Sequence, residues 1–361
     1  MFDLDAGEEL DLVVETARAF ANERLAPRLR DAERTREVDP LAREAYREIG
    51  LAGLELPEAL GGAGLGAVAR VRVNEELAAA DAGAAVALDP LGPALYPLLE
   101  LGGASALQEW ALPRIEAEQG RAVLVTAADV TLEVDSGGLS GRVPWVPADR
   151  VDLLVWLDAE GAAVMCEGWT SEALPGAGLR AAGASSLSLE RAPIAARFRE
   201  PQAAARALAR ARLYQASLML GVLRASADFS RGYALERVAF GRPIAHHQAL
   251  AFLIADMQMA LDGARLLIHE AAWRIDRDLP CAAHAAAALC EVIEASRLVG
   301  PNGVQLLGGH GFMQDYPVEK YMRESRILGL TLGGIDAAQA EAARALCSAG
   351  APVILSEGGA P

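Results

Sequence analysis

An α+β fold, mostly α, is predicted by three compositional regimes that follow one another along the chain: an alanine- and leucine-rich N-terminal part, a short β-branched centre, and a C-terminal part with sustained helical periodicity. From about Glu8 to Gly120, alanine, leucine and interspersed charges predict short amphipathic helices. They are interrupted by Leu56-Pro-Glu-Ala-Leu-Gly61-Gly62-Ala-Gly64-Leu-Gly66, whose glycines cannot continue a helix cheaply. This run lacks the lysine and hydroxyl pair of a nucleoside-triphosphate loop, so it is read as a connector. From about Arg121 to Pro201, clusters at Val123 to Thr126, Val143 to Val146 and Val151 to Leu157 alternate with Gly137-Gly138, Pro147 and Gly161, the pattern of strands and turns. After Gln202, residues Leu250, Leu253, Met257, Leu261, Ala264, Ile268, Ala271 and Ile275 advance by threes and fours, which predicts a long core-facing helix. A second helix, about Ala282 to Val299, carries Ala282, Ala286, Leu289, Ile293 and Ser296 on one stripe and is expected to stop at Gly300-Pro301. Asp336, ahead of Ala-Ala-Gln-Ala-Glu-Ala-Ala-Arg, is expected to cap a last helix. With the helical segment from about Ala203 to Glu236, these form a bundle of long helices. The expected division is residues 1–120 (helical), 121–201 (a small, shortened β domain) and 202–361 (helical bundle).

Composition removes several function classes. With 361 residues, 52% of them hydrophobic, the chain can bury a large core. Its 49 acidic and 33 basic residues give a formal charge of -16, which disfavours nonspecific binding to nucleic-acid phosphates and anionic lipid. An anionic ligand would need local arginines inside this acidic field. Cys166, Cys281, Cys290 and Cys347 have no metal-ligand spacing and read as reduced thiols. No apolar run reaches membrane-spanning length and Met1-Phe-Asp-Leu-Asp has no leader pattern, so a cytoplasmic location is expected.

Chemistry is carried by Tyr233-Ala-Leu-Glu-Arg-Val-Ala-Phe-Gly-Arg-Pro-Ile-Ala-His-His-Gln248, then Gln305-Leu-Leu-Gly-Gly309 and Tyr316-Pro-Val-Glu-Lys320. An arginine and bare glycine backbone are what a dinucleotide pyrophosphate requires: Arg237 supplies the cation, and Gly308 and Gly309 permit close approach. These segments resemble the acyl-CoA dehydrogenase family. The resemblance implies an N-terminal helical domain, a central β domain and a C-terminal helix bundle. It further implies FAD held by Arg237, Phe240, His247, Gln248, Gln305, Gly308 and Gly309, partly across a dimer interface. In the family a Thr-Glu-Pro loop and a Trp-Ile-Thr strand also approach the flavin; here Thr126 and Trp145 stand at those places, with Ala127-Ala128-Asp129 and Val146-Pro147 following. Proline offers the flavin neither hydroxyl nor N–H. Gly178-Leu-Arg180-Ala181 resembles the family's Gly-Met-Arg-Ala segment, and Arg212 falls where the family places an arginine of the acyl-CoA cleft.

The departures concern the base. Dehydrogenation moves the α-proton to a carboxylate while the β-hydride passes to flavin, so a base must reach the α-carbon. The family's glutamate lies in a Tyr-Glu-Gly-Thr run, and this chain reads Thr331-Leu332-Gly333-Gly334. The alternative family position, at the start of the first C-terminal helix, is Ala211. No catalytic residue is therefore assigned, although the backbone at Leu332 and Gly333 retains N–H groups able to polarise a thioester carbonyl. Three readings stay open: an FAD-dependent acyl-CoA dehydrogenase, a silent or FAD-sharing subunit beside a homologue that keeps its glutamate, and different flavin chemistry on the same fold. The expected partners are an acyl-CoA thioester, an electron-transferring flavoprotein, and a second chain in a homodimer, homotetramer or heteromer; neither nucleic acid nor a membrane span is expected.

Overall fold

The computed structural model describes residues 7–116, 121–135 and 138–348. Helices open the chain: α1 (Glu8–Phe20), α2 (Leu29–Thr35), α3 (Pro40–Glu48) and α4 (Ala67–Leu88), then α5 (Leu95–Pro97), α6 (Gly103–Ala106) and α7 (Leu112–Glu116) linked by π-helical turns. Asp39 caps α3 by accepting the Leu41 N–H at 2.8 Å, Pro40 takes the first turn, and Tyr46 is buried. The glycine connector folds on itself: the N–H groups of Ala63, Gly64 and Leu65 donate to the carbonyls of Gly53, Leu56 and Leu54 at 3.1, 2.8 and 3.0 Å. With those donors used internally, it is no phosphate cradle.

Short amphipathic helices were expected throughout this part, and α4 departs from that. Its residues are buried on nearly every side, because α8 packs along it and α1 and α9 cover other faces. It is also broken at Asp81 (φ -162°, ψ 108°), whose carboxylate accepts the Ala84 N–H at 3.1 Å and so caps the second segment. The same carboxylate accepts from Lys320 Nζ at 3.0 Å, and Glu324 accepts from that ammonium at 2.6 Å. All three side chains are only 1% exposed.

The centre holds β1 (Ala122–Thr126), β2 (Glu133–Asp135), β3 (Gly138–Val146), β4 (Leu153–Leu157), β5 (Gly161–Met165), β6 (Trp169–Ala173), β7 (Ser185–Ala192) and β8 (Ala196–Arg199). They make two four-stranded sheets, ordered β1-β4-β5-β8 and β2-β3-β7-β6, with β1 and β4 parallel and the other pairs antiparallel. The sheets face each other across Val123, Val125, Val143, Leu154, Met165 and Leu187.

The C-terminal part begins with α8 (Pro201–Glu236), then a two-residue hairpin of β9 (Val238–Ala239) and β10 (Arg242–Pro243), followed by α9 (Gln248–Asp276), α10 (Ala282–Leu307), α11 (Val318–Leu328) and α12 (Gly334–Ser348). Met257, Leu261, Ala264, Ile268, Ala271 and Ile275 are buried along α9, while Leu250 and Leu253 pack at its edge. The expected stop at Gly300-Pro301 does not occur: α10 runs on to Leu307 and ends at Gly308, whose φ of 58° closes it. Pro301 lies on the exposed face, where water can satisfy the carbonyl left without its N–H, while buried Gly300 lets α11 approach at Met322. Asp336 is likewise not the cap of α12, which starts two residues earlier; Asp336 sits inside its first turn. Among the described residues no single helix is long and apolar enough to cross a membrane.

Candidate cofactor and substrate site

Between α11 and α12 the backbone turns through three consecutive left-handed residues, Leu332 (φ 56°), Gly333 (φ 76°) and Gly334 (φ 58°). Glycine tolerates this conformation and leucine does not, so Leu332 is held there against its own steric preference. A β-carbon at position 333 would also meet Ala128 Cβ at 2.6 Å. The turn is pinned from the β domain. Asp129 accepts the Gly333 N–H at 2.8 Å through one carboxylate oxygen, and the other accepts the Thr126 hydroxyl at 2.7 Å. Thr126 is buried and its hydroxyl is engaged, so it does not stand free for a ligand.

Leu332 is 4% exposed and Ala211, on α8, is fully buried, so both positions that the sequence resemblance singled out for a base hold buried hydrocarbon. Beside Ala211, the buried Arg212 guanidinium donates to Glu341 of α12, and its Nε finds no acceptor. One turn further along α8, Gln215 donates to the Leu328 carbonyl at 2.7 Å, tying α8 to the end of α11. Asp129 at the turn and Glu341 beside Arg212 are both engaged: the first with backbone and hydroxyl donors, the second with an arginine.

The second cluster lies at the far end of α8. Arg237 is the residue at which that helix stops, its N–H donating to Tyr233 at 2.8 Å, and its exposed side chain has no acid within ion-pair distance among the described residues. Phe240 (φ 54°) and Gly241 (φ 80°) form the corner of the β9–β10 hairpin, a left-handed pair that suits a two-residue turn. Phenylalanine there is strained and 96% exposed. His247 packs edge-on to it at 6.0 Å and bonds the Ala239 carbonyl at 3.2 Å, and exposed Gln248 opens α9. Gln305, Gly308 and Gly309 are exposed at the end of α10, and a β-carbon at either glycine would meet nothing within 4 Å. Trp145 is half-buried against the helical core.

One connection was not anticipated. His310 bonds the Tyr233 hydroxyl at 2.9 Å and stacks on Tyr316 with ring centroids 5.0 Å apart. This aromatic joint brings the Gly308–Gly309 corner against the last turns of α8, four residues before Arg237. Tyr233 and Tyr316 lay inside the motif segments and His310 one residue past Gly309, but nothing in their spacing indicated that they touch.

Two family models match the chain: "Acyl-CoA dehydrogenase, N-terminal domain" over residues 7–118 and "Acyl-CoA dehydrogenase, C-terminal domain" over residues 202–347. The chain belongs to the acyl-CoA dehydrogenase family. It is 29% identical over 353 residues to the short-chain specific acyl-CoA dehydrogenase of Mus musculus mitochondria, covering 89% of this chain and 85% of that one. Its fold is that of butyryl-CoA dehydrogenase from Megasphaera elsdenii, with a TM-score of 0.84 at 21% identity over 96% of this chain and all of the other. A glutaryl-CoA dehydrogenase from Mycobacterium smegmatis, solved in complex with FADH2, superposes with a TM-score of 0.81 at 19% identity, covering 96% and 97% of the two chains. Residues 119–201, which include Thr126 and Trp145, lie between the two family models and in neither. This acyl-CoA dehydrogenase family member therefore keeps the family fold.

Proposed function

We propose that this family member binds FAD and an acyl-CoA thioester, and that it dehydrogenates the thioester slowly because neither family position offers a proton acceptor. The observation that carries this reading is the burial of hydrocarbon at both places: Leu332 on the strained turn and Ala211 on α8. Losing a general base costs on the order of a hundred- to ten-thousand-fold in rate.

The residues present fit the pyrophosphate end of FAD. Arg237 is exposed without a carboxylate partner, and the backbone at Gly308 and Gly309 is bare of side-chain obstruction. Toward the ring, the fit is altered: Thr126 gives its hydroxyl to Asp129, and Pro147 has no N–H. When bound, FAD supplies the acceptor for the substrate's β-hydride. The chain's own contribution to the thioester is the turn. No hydrogen-bond acceptor among the described residues engages the Leu332 N–H, which leaves it free for a carbonyl oxygen, whereas the Gly333 N–H is held by Asp129.

Oligomer formation follows from a covering argument. Phe252, Met259 and Leu266 recur every seven residues on the outer face of α9 and are 59%, 65% and 50% exposed. Val238, Phe240 and Phe312 are exposed as well. Monomeric proteins rarely leave so much apolar surface to water, so a second copy, or a homologue that keeps its glutamate, is the proposed cover.

Anaerobic titration of the purified flavoprotein with acyl-CoA thioesters tests the reading. The expected result is a bound flavin whose absorbance is perturbed on binding and bleaches only over minutes or longer. Complete bleaching within the mixing time would show a competent base and refute the proposal.

A further inference from the structure

A groove of about 610 Å³ runs between α2–α3, the end of α4 and the β domain, away from both clusters above. Its apolar lining includes Val38, Leu88 and Ile115, and three arginines face it: Arg43, Arg47 and Arg121. None of the three has an acid within ion-pair distance among the described residues. Arg43 donates only to the Ala87 carbonyl, at 3.3 Å, and Arg121 only to the carbonyls of Asp89 and Pro147. The Arg47 side chain makes no hydrogen bond among the described residues and is exposed. Tyr46 lines the same groove at 1% exposure, and its buried hydroxyl lies beside Arg70 and Asp89.

These groups were drawn from segments far apart in sequence, so only folding brings them together. Their electrostatics are unfavourable as they stand. Burial lowers both the Arg43 and the Arg121 guanidinium from the ordinary arginine value; at Arg121 the nearby Tyr214 and Asp89 oppose burial without pairing, and repulsion from Arg43 adds to it. Acids are present along the groove but do not neutralise them. Glu37 lies near enough to favour the charged form of Arg43 without pairing, Glu44 makes no ion pair, and Asp149 accepts the Ala184 N–H at 3.0 Å. The remaining arginines are committed elsewhere: Arg36 donates to the Leu174 and Pro175 carbonyls, and Arg150 pairs with Asp152 at 2.8 Å. Two partly buried cations and the exposed Arg47, facing one cavity with no carboxylate paired to any of them, form a site whose missing component is negative.

We propose that this groove binds a small organic anion, its oxyanion head group held between Arg43 and Arg121 and its apolar body lying along Val38, Leu88 and Ile115. A volume of about 610 Å³ suits a ligand of metabolite size. Bidentate recognition by guanidinium serves carboxylate and phosphate alike, so the head group is defined by chemistry and not by source. The site is independent of the flavin and thioester reading.

The test is calorimetric titration of the flavin-containing protein with octanoate, octyl phosphate and inorganic phosphate. Saturable one-to-one binding of at least one octyl anion is expected, and comparison of the two octyl ligands identifies the preferred head group. R43M should weaken it at least tenfold. R47E reverses a charge that has no partner to lose, so it leaves the fold intact and should weaken binding several-fold. If R43M loses its helical circular dichroism, R47E alone decides. Absence of binding to both octyl anions at millimolar concentration overturns the proposal. So does binding unaffected by R47E and by a folded R43M, or binding that an acyl-CoA thioester displaces competitively.

Discussion

Replacing Lys320 with methionine removes one charge from a place that water does not reach. The ammonium bridges Asp81 at 3.0 Å and Glu324 at 2.6 Å, and the second oxygen of each carboxylate has no partner. Burial, with repulsion from Asp81 adding to it, pushes Glu324 up to about 7 against the pull of Lys320. Lys320 itself is raised, since its two carboxylates outweigh burial. Breaking a buried pair from one side leaves uncompensated charge and costs about 3–5 kcal/mol. Unfolding entropy of roughly 2.1 cal/mol/K per residue over 361 residues converts about 4 kcal/mol into a melting shift of about 5 °C. The pH dependence has a definite sign. Because the folded value of Glu324 lies above its unfolded value, the native state holds the extra proton, and wild-type stability falls as pH rises from about 4.5 to about 7. In K320M both carboxylates lack their cation, so the deficit against wild type should be largest near pH 8 and shrink toward pH 5. Thermal unfolding by circular dichroism across that range is the assay. A melting point within 1 °C of wild type, or a deficit that does not change with pH, would refute the assignment of charge to this triad. The neutral set K320M/D81N/E324Q should recover part of the loss.

Two further outcomes are expected. Leu332→Glu places a carboxylate on the strained turn, and flavin bleaching by a bound thioester should accelerate on the order of a hundred- to ten-thousand-fold; no acceleration with flavin and thioester both bound would show that this turn does not face the α-carbon. Gly221→Ala drives a methyl group from α8 against the Glu75 carbonyl of α4, with Ala79 N 3.0 Å away, and should cost roughly 1–3 kcal/mol in urea unfolding, whereas Gly232→Ala on the same helix meets nothing within 4 Å and should stabilise by about 1 kcal/mol or less.

The residues that were legible in sequence are those whose role depends on near neighbours. The stripe from Met257 to Ile275 advertises α9 because one face of a helix repeats every three or four residues, and the Phe240-Gly241 corner sits in a contiguous motif. What escaped depends on contacts between distant segments. Pro301 reads as a stop, yet tertiary packing of Gly300 against α11 carries α10 through it. Asp129 stood in the sequence only as the end of Ala127-Ala128-Asp129 after Thr126, and only the fold sets its carboxylate on the Gly333 N–H, 204 residues later. The departure of α4 from amphipathic patterning has the same origin, since a helix surrounded by α1, α8 and α9 has no solvent face to pattern. Arg43 and Arg121 showed nothing by themselves; their meaning arises from sharing a groove.

The link between Asp81 and Lys320 spans 239 residues. During synthesis the N-terminal helices leave the ribosome long before that lysine exists, and at about 5–20 residues per second the wait is on the order of ten seconds or more. Through that interval the Asp81 carboxylate of α4 is without the cation that neutralises it, and until α8 emerges it is also without the helix that packs along α4. The helical N-terminal part is thus a unit of sequence that nascent-chain folding cannot finish alone, and a message truncated before α11 would leave Asp81 an unpaired acid in an apolar helix, a destabilised fragment of the kind that proteases remove.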